Sequence, residues 1–322
     1  MAYLVTGGTG LLGSRVVRDL AKEGEKVVVY DVSPDDSILK QVLSGIDLSR
    51  VRMVQGDVAD LAFLVNTLKA NNVEKIIHLA SLLNEESDAN PLRAIRVNCI
   101  GTANMFEAAR ILGLEKVVWA SSMVVFGPPE MHSEEYMPND APHFPGNMYQ
   151  CCKDFNEHIA ALYFKLYGVD NAAIRFTQMY GLGQRSEGRA RTIIRELIEN
   201  PVLGKPGRLP YGDDVISWLY VDDAARAVVL ASKVARTKTR AFNIMGDYRS
   251  LKEAAAYLRT LMPAADITLQ PGSLREIYGG LCWKFDTSCI EKELGFHTQW
   301  SMEKGLKEIL DTVRRQHNLR PL

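Results

Sequence analysis

Residues 2–13 read AYLVTGGTGLLG and hold a strand, a glycine-rich turn and the start of a helix. AYLVT (2–6) is a short apolar run of strand length. Residues 11–23 place Leu12, Val16, Leu20 and Ala21 at helical spacing and stop at Gly24. Gly7, Gly10 and Gly13 fall between the two elements. Glycine there permits positive φ, close backbone approach to a pyrophosphate, and tight packing of helix on strand. The free N–H groups and positive dipole end of the helix favour phosphate. Glycine spacing alone is common, and its place between strand and helix makes it specific.

Outward from this turn, strand and helix alternate. VVVYD (27–31), VRMVQGD (51–57), KIIHLAS (75–81) and KVVWASS (116–122) read as strands. Helices are predicted at 60–71 and about 91–112. Such alternation predicts an α/β fold with a parallel sheet covered on both faces. Residues 127–146, rich in Pro, Glu, His and Asn, form a loop that would lie near a site. A helix at about 147–168 and a strand with its exit at 171–181 follow. Beyond that the chain is less regular. Residues 182–218 mix Gly, Pro and Arg around one helix near 188–199. Helices at 221–233, 250–262, 286–294 and 301–317 flank a strand at 241–245. The expectation is a Rossmann-type doubly wound parallel sheet over residues 1–176. Residues 177–322 would be mainly a smaller C-terminal substrate-binding lobe, interleaved with the main sheet around 221–246.

Asp31 ends the second strand, where a carboxylate accepts hydrogen bonds from the adenosine ribose hydroxyls and repels a 2′-phosphate. Asp35 and Asp36 follow, and no Arg or Lys appears before Lys40. This favours NAD over NADP. Asp57 ends the third strand and is a candidate for the adenine edge.

Tyr149 and Lys153 stand one helical turn apart, so phenol and ammonium share a face. Upstream, Ser121 and Ser122 end a strand. A free tyrosine ionises near pH ~10, too high for a base at neutral pH. A lysine cation, and later a positive nicotinamide ring, would favour the phenolate. A second pair at the same spacing, Tyr248 and Lys252, lacks a serine-ended strand before it and reads as a solvated helix start.

The remaining composition is ordinary. Of 322 residues, 47% are hydrophobic and 24% charged, and the formal net charge of −1 implies no nucleic-acid or membrane field. The five cysteines (Cys99, Cys151, Cys152, Cys282, Cys289) are odd in number and lack metal-site spacing, so a reducing compartment is expected and no metal. Cys151 and Cys152 read as small helix residues, with a redox role as the alternative. The N-terminus enters a strand with no basic leader, and no apolar run has membrane-spanning length. A cytoplasmic protein is expected.

These residues resemble the extended short-chain dehydrogenase/reductase superfamily, the group of NAD-dependent epimerases and dehydratases, over nearly the whole chain. The resemblance implies that TGGTGLLG holds the cofactor through Gly7, Thr9, Gly10, Leu11, Leu12 and Gly13. It likewise implies contacts from Asp57 and Val58, from Leu79, Ala80 and Ser81 in HLAS (78–81), and from Tyr149 and Lys153. Ser122, Tyr149, Lys153 and Asn98 match the catalytic tetrad, with Asn98 holding a proton-relay water. Ser122 would orient the substrate oxygen, Tyr149 would exchange its proton, and Lys153 would tune the phenol and hold the nicotinamide ribose.

Three departures bear on substrate. Met123 and Val124 follow the serine where dehydratases carry an acidic pair, which argues against water elimination. Ile216 occupies the place of a diphosphate-pairing arginine. Gln178 and Gln270 replace two further residues typical of nucleotide-sugar members. Arg185, Arg189 and Arg191 remain as possible anion binders in another geometry. Ser81, Asn84, Met123, Gln178, Arg185 and Trp218 are the candidate substrate contacts. The resulting expectation is an NAD-dependent dehydrogenase acting on a small hydroxylated substrate such as a sugar or sugar acid. A nucleotide-sugar 4-epimerase uses the same tetrad and is the alternative. A non-catalytic NAD-binding sensor is a remote third. A homodimer is expected through the helices near 91–112 and 147–168, with Leu162, Phe164 and Leu166 compatible with such a contact.

Overall fold

The structure, a computed structural model, describes residues 1–33, 35–183, 188–273 and 283–322. Its first half runs β1 (Ala2–Thr6), α1 (Leu11–Lys22), β2 (Lys26–Asp31), α2 (Ser37–Val42), β3 (Val51–Gln55), α3 (Leu61–Ala70) and β4 (Lys75–His78). Next come α4 (Asn84–Ala89) and α5 (Pro91–Ala94). A π-helical turn, Ile95–Ile100, carries α5 straight into α6 (Gly101–Leu112). β5 (Lys116–Ser122), β6 (Tyr136–Met137), α7 (Met148–Tyr167) and β7 (Asn171–Phe176) complete this half.

The second half holds β8 (Met179–Tyr180), α8 (Arg189–Ile194), α9 (Asn200–Val202), β9 (Gly207–Leu209), β10 (Val215–Tyr220) and α10 (Val221–Lys233). β11 (Ala241–Ile244), β12 (Asp247–Ser250), α11 (Leu251–Leu261), β13 (Ile267–Leu269) and β14 (Lys284–Phe285) follow. Helices Ser288–Leu294 and Met302–Gln316 close the chain.

The main sheet has seven parallel strands in the order β11-β7-β5-β4-β1-β2-β3. Alternation along each strand sends successive side chains to opposite layers. Tyr3 and Val5 join a core with Val16, Leu20 and Val228, from α1 and α10. Leu4 joins the other core with Leu64, Phe106 and Ala160, from α3, α6 and α7. Leu4, Val5, Ile76 and Ile77 are fully buried, and each is worth about 1.5–3 kcal/mol by removal from water. Two-sided burial explains why these strands read as unbroken apolar runs.

Strand order reverses between β1 and β4, which opens a crevice at their carboxyl ends. β11, from the second half, is the seventh strand of this sheet, and α10 packs on α1. The chain therefore returns to the main sheet where interleaving is expected.

Several elements differ from the sequence reading. VISWLY (215–220) forms β10, paired with β8 and β12, inside a stretch read as irregular. Its residues are buried throughout or nearly so, so no polar alternation marks it. The run 171–181 divides into β7 and β8. Tyr248 belongs to β12 and not to a helix start. The helix begins at Leu251 behind a Ser250–Glu253 capping box, and Lys252 pairs with Asp213 at 2.6 Å.

Candidate active site

The turn after β1 is shaped by contacts that leave no room for side chains. Gly7 has φ +65°, and a Cβ on it would stand 2.8 Å from the Ala80 nitrogen. A Cβ on Gly13 would overlap the Gly7 carbonyl oxygen. The exits of β1 and β4 can therefore approach, and α1 begins directly on the turn with Gly10 as its N-cap. Beside them lies a cavity of about 500 Å³. Gly7, Thr9 and Gly10 line one wall, Asp31, Asp57 and Val58 a second, and Leu79, Ala80 and Ser81 a third. The Asp31 carboxylate accepts from Thr9 N (3.1 Å), Thr9 Oγ1 (2.7 Å) and Ser33 N (3.0 Å). A backbone cradle under a helix N-terminus, flanked by a fixed carboxylate, fits the pyrophosphate and ribose of an adenine dinucleotide.

The other residues of the glycine-rich motif lie elsewhere. Leu12 is buried in the core, and Leu11 packs near Gly181. Neither lines the cavity, since their side chains face away from the turn. Gly13 contributes closeness of helix to turn and no cavity wall.

Ser122, Tyr149 and Lys153, the residues predicted to handle the proton, converge at the end of β5. Ser122 is its last residue, and Asn147 caps α7 so that Tyr149 and Lys153 face the strand. Lys153 Nζ donates to the Ala120 carbonyl at 2.7 Å and lies 5.4 Å from the Tyr149 ring centroid. Burial pushes the Tyr149 phenol up to about 12, partly offset by its hydrogen bond with Ser122. Burial also brings the Lys153 ammonium down to about 8. The sequence reading has lysine lowering the phenol's pKa, whereas here burial is the largest influence and raises it, with the Ser122 hydrogen bond the lowering one. A phenolate in this pocket needs a further positive charge. His78, under the same site, is brought down to about 3 by burial and by Lys153, and is neutral between Thr6 and Thr102.

Asn98 lies in the π-helical turn. Its Oδ1 accepts from Leu82 N at 2.8 Å and Ser81 Oγ at 3.1 Å, while its Nδ2 donates to Leu82 O at 3.0 Å. The amide thus clamps the exit of β4. Its backbone carbonyl accepts from Asn156 Nδ2 at 2.9 Å, which ties this helix to α7.

The predicted substrate contacts scatter. Trp218 is a correction: it is 1% exposed, its Nε1 donates to Arg249 O at 3.1 Å, and its ring packs edge-on against Tyr180. It packs in the core as part of β10, a strand buried almost throughout. Met123 is buried with Val125, Phe126 and Phe285. Gln178 is half-buried, and its carbonyl accepts from Leu219 N. Asn84 opens α4 and keeps a buried Oδ1 without a partner among the described residues. Arg185 lies outside the described residues.

Two groups escaped the sequence reading. Arg93, Arg96 and Val97 line the dinucleotide cavity, and Arg96 pairs with Asp57 at 2.9 Å. Behind Ser122, the Ser121 hydroxyl meets Glu157 Oε1 at 2.5 Å. Arg175 grips the same carboxylate through Nε (2.9 Å) and Nη2 (2.6 Å) and reaches Asn139 O and His143. Glu157 stands four residues after Lys153, a helical spacing that marks it as a neighbour of the site.

Residues 3–244 match the model of the NAD dependent epimerase/dehydratase family. A putative UDP-glucose 4-epimerase of Methanocaldococcus jannaschii is 31% identical over 235 residues, covering 71% of this chain and 72% of the relative. The chain belongs to the NAD-dependent epimerase/dehydratase family. Among solved structures, UDP-glucose 4-epimerase of Thermotoga maritima superposes with TM-score 0.83 at 23% identity, covering 98% of this chain and all of that one. L-Threonine dehydrogenase of Cupriavidus necator superposes with TM-score 0.84 at 21% identity, covering 97% of this chain and all of that one. Both likenesses bear on the fold.

Proposed function

We propose that this protein is an NAD-dependent oxidoreductase that interconverts a secondary alcohol and a ketone on a small hydroxylated substrate. The observation that carries the reading is the convergence of Ser122, Tyr149 and Lys153 at the end of β5, next to the strand exits that line the dinucleotide cavity. When bound, NAD supplies the hydride acceptor. Ser122 Oγ orients the substrate oxygen, and Tyr149 Oη takes the proton from it. Lys153, fixed on the Ala120 carbonyl, supplies positive charge beside the phenol. With NAD bound, Asp31 would hold the adenosine ribose and the glycine turn before α1 would cradle the pyrophosphate.

The substrate side supports a small molecule. Ile216 is 1% exposed in β10 and cannot reach a diphosphate. Absorbance of NADH tests this on mixing the protein, NAD and a panel of sugars, sugar acids and hydroxy acids. Net NADH that vanishes in Tyr149→Phe is expected. Retained cofactor with isomerised nucleotide-sugar, and no net NADH, would instead establish the second reading, a 4-epimerase. The M. jannaschii relative favours that second reading.

The expected partner is a second copy of the chain. Ile95, Ile100 and Ile111 on one helix, and Phe155, Leu162 and Leu166 on the other, are exposed apolar residues. Phe164 is withdrawn from this face, since Arg240 lies over its ring at 4.0 Å. Light scattering at micromolar concentration should give a dimer, and a monomer would refute it. Free thiols at Cys99, Cys151, Cys152 and Cys289 support a reducing, cytoplasmic setting.

A further inference from the structure

Arg189 opens α8 with a side chain only 8% exposed. Its Nη2 donates to Asp214 Oδ2, and Asp214 is fully enclosed. The other oxygen of Asp214 accepts from Ser273 Oγ at 2.5 Å, so the carboxylate is held on both sides. Arg189 Nε and Nη1 are buried and have no hydrogen-bond partner among the described residues. The Arg189 guanidinium carbon lies 5.8 Å from the Tyr211 ring centroid, a cation–π contact that gives the guanidinium no oxygen acceptor. A buried donor left unmet is destabilising, because it has lost its water and gained no acceptor. Native proteins keep few such groups, and an anion accepting from both nitrogens would satisfy this one.

Other arginines of the chain show what satisfaction looks like. Arg175 engages all three guanidinium nitrogens. Arg191, two residues from Arg189, is matched by Glu199 at 2.7 Å. Arg240 leaves Nε alone without a partner. Arg189 leaves two nitrogens.

Its place in the fold connects it to the catalytic serine. Asp214 stands directly before β10. Ser217, in that strand, shares a hydrogen bond with Thr177 at 2.9 Å. Thr177 follows Phe176, the register partner of Ser122. In the same strand, the position that would carry a diphosphate-binding arginine is the buried Ile216.

We infer that Arg189, oriented by Asp214, is an oxyanion receptor of the substrate side, its Nε–H and Nη1–H binding a carboxylate or phosphate borne by the substrate. The inference rests on the oxidoreductase reading for the identity of the ligand. Its test needs no turnover. Malonate and inorganic phosphate are titrated calorimetrically into the protein at constant ionic strength, with and without NAD. Saturable binding of one probe is expected, weakened about tenfold or more in Arg189→Gln/Asp214→Asn, with NAD affinity unchanged. The double variant removes both buried charges and so avoids stranding one. Binding of malonate alone would mark a carboxylate substrate, and of phosphate alone a phosphorylated one. Wild-type anion affinity in the double variant, or no binding of either probe at millimolar concentration, would overturn the inference. Where the double variant does not fold, Arg189→Lys decides. It keeps the charge facing Asp214 but removes the fork, so weakened binding is expected and unchanged affinity overturns the inference. Failure of NAD-dependent turnover with anion binding intact would count against the oxidoreductase reading alone.

Discussion

The two ends of the candidate site are made of different material. The cofactor end is backbone: Gly7 and Gly13 remove side chains so that β1, β4 and α1 can meet. The proposed substrate end is side chain: Ile216 is withdrawn into the core, while Arg189 has two buried nitrogens with no hydrogen-bond partner among the described residues. Backbone geometry tolerates almost no variation, so it accommodates one kind of ligand. Side-chain placement varies within one fold and decides which molecule is turned over.

Changes at each end sharpen this contrast. The largest effect is expected at the chemistry itself. Tyr149→Phe should lower turnover by about 10²–10⁴-fold and leave NAD affinity within about twofold, read by NADH absorbance and calorimetry. A parallel loss of NAD binding would place Tyr149 in the cofactor seat instead. Next, Trp218→Ala should lower stability by about 3–5 kcal/mol in chemical denaturation. Trp218→Phe should cost less and leave KM unchanged. A raised KM in a stable Trp218→Phe variant would return this residue to the substrate site.

Gly13→Ala tests the backbone end. Its Cβ overlaps the Gly7 carbonyl, so about 1–3 kcal/mol of stability and most NAD affinity should be lost together. Smaller still is Arg96→Ala, which opens the rim pair with Asp57. Both side chains are substantially exposed, so NAD affinity should change by only about 0.2–1 kcal/mol, with the difference shrinking in salt.

The buried pair also predicts a pH profile. Lys153 is brought down to about 8 from an ordinary 10.5. Its contribution is present above 10.5 and lost as pH falls through 8, so stability from this group rises with pH across that window. Tyr149 is pushed up from 10.0 to about 12. Its contribution is present below 10 and lost as pH rises through 12. Denaturation of Lys153→Met should lack the rise.

The same division governs what the sequence could tell. The main sheet was legible because two-sided burial writes apolar runs, and the glycine turn because only glycine fits it. β10 was not, since VISWLY carries Ser217 in its middle and runs straight into α10 at Val221 with no turn residue to mark its end. Trp218 was misplaced for that reason. Arg93 and Arg96 reach the cavity from α5 and the π-helical turn, elements far in sequence from the glycine turn. The Glu157–Arg175 pair depends on contact between α7 and β7. Pairings of this kind are tertiary facts with no local signature.

The most direct test is the titration of Tyr149, read as the ultraviolet difference between the protein and Tyr149→Phe, alone and with NAD. The account holds that burial keeps the phenol neutral and that the cofactor's positive ring supplies the missing charge. Without NAD, no Tyr149 phenolate should appear below pH ~10, the ordinary tyrosine value. With NAD, and not with NADH, the transition should move down by about 2 units or more. An unchanged titration in the presence of NAD would contradict Tyr149 as the proton-transfer group.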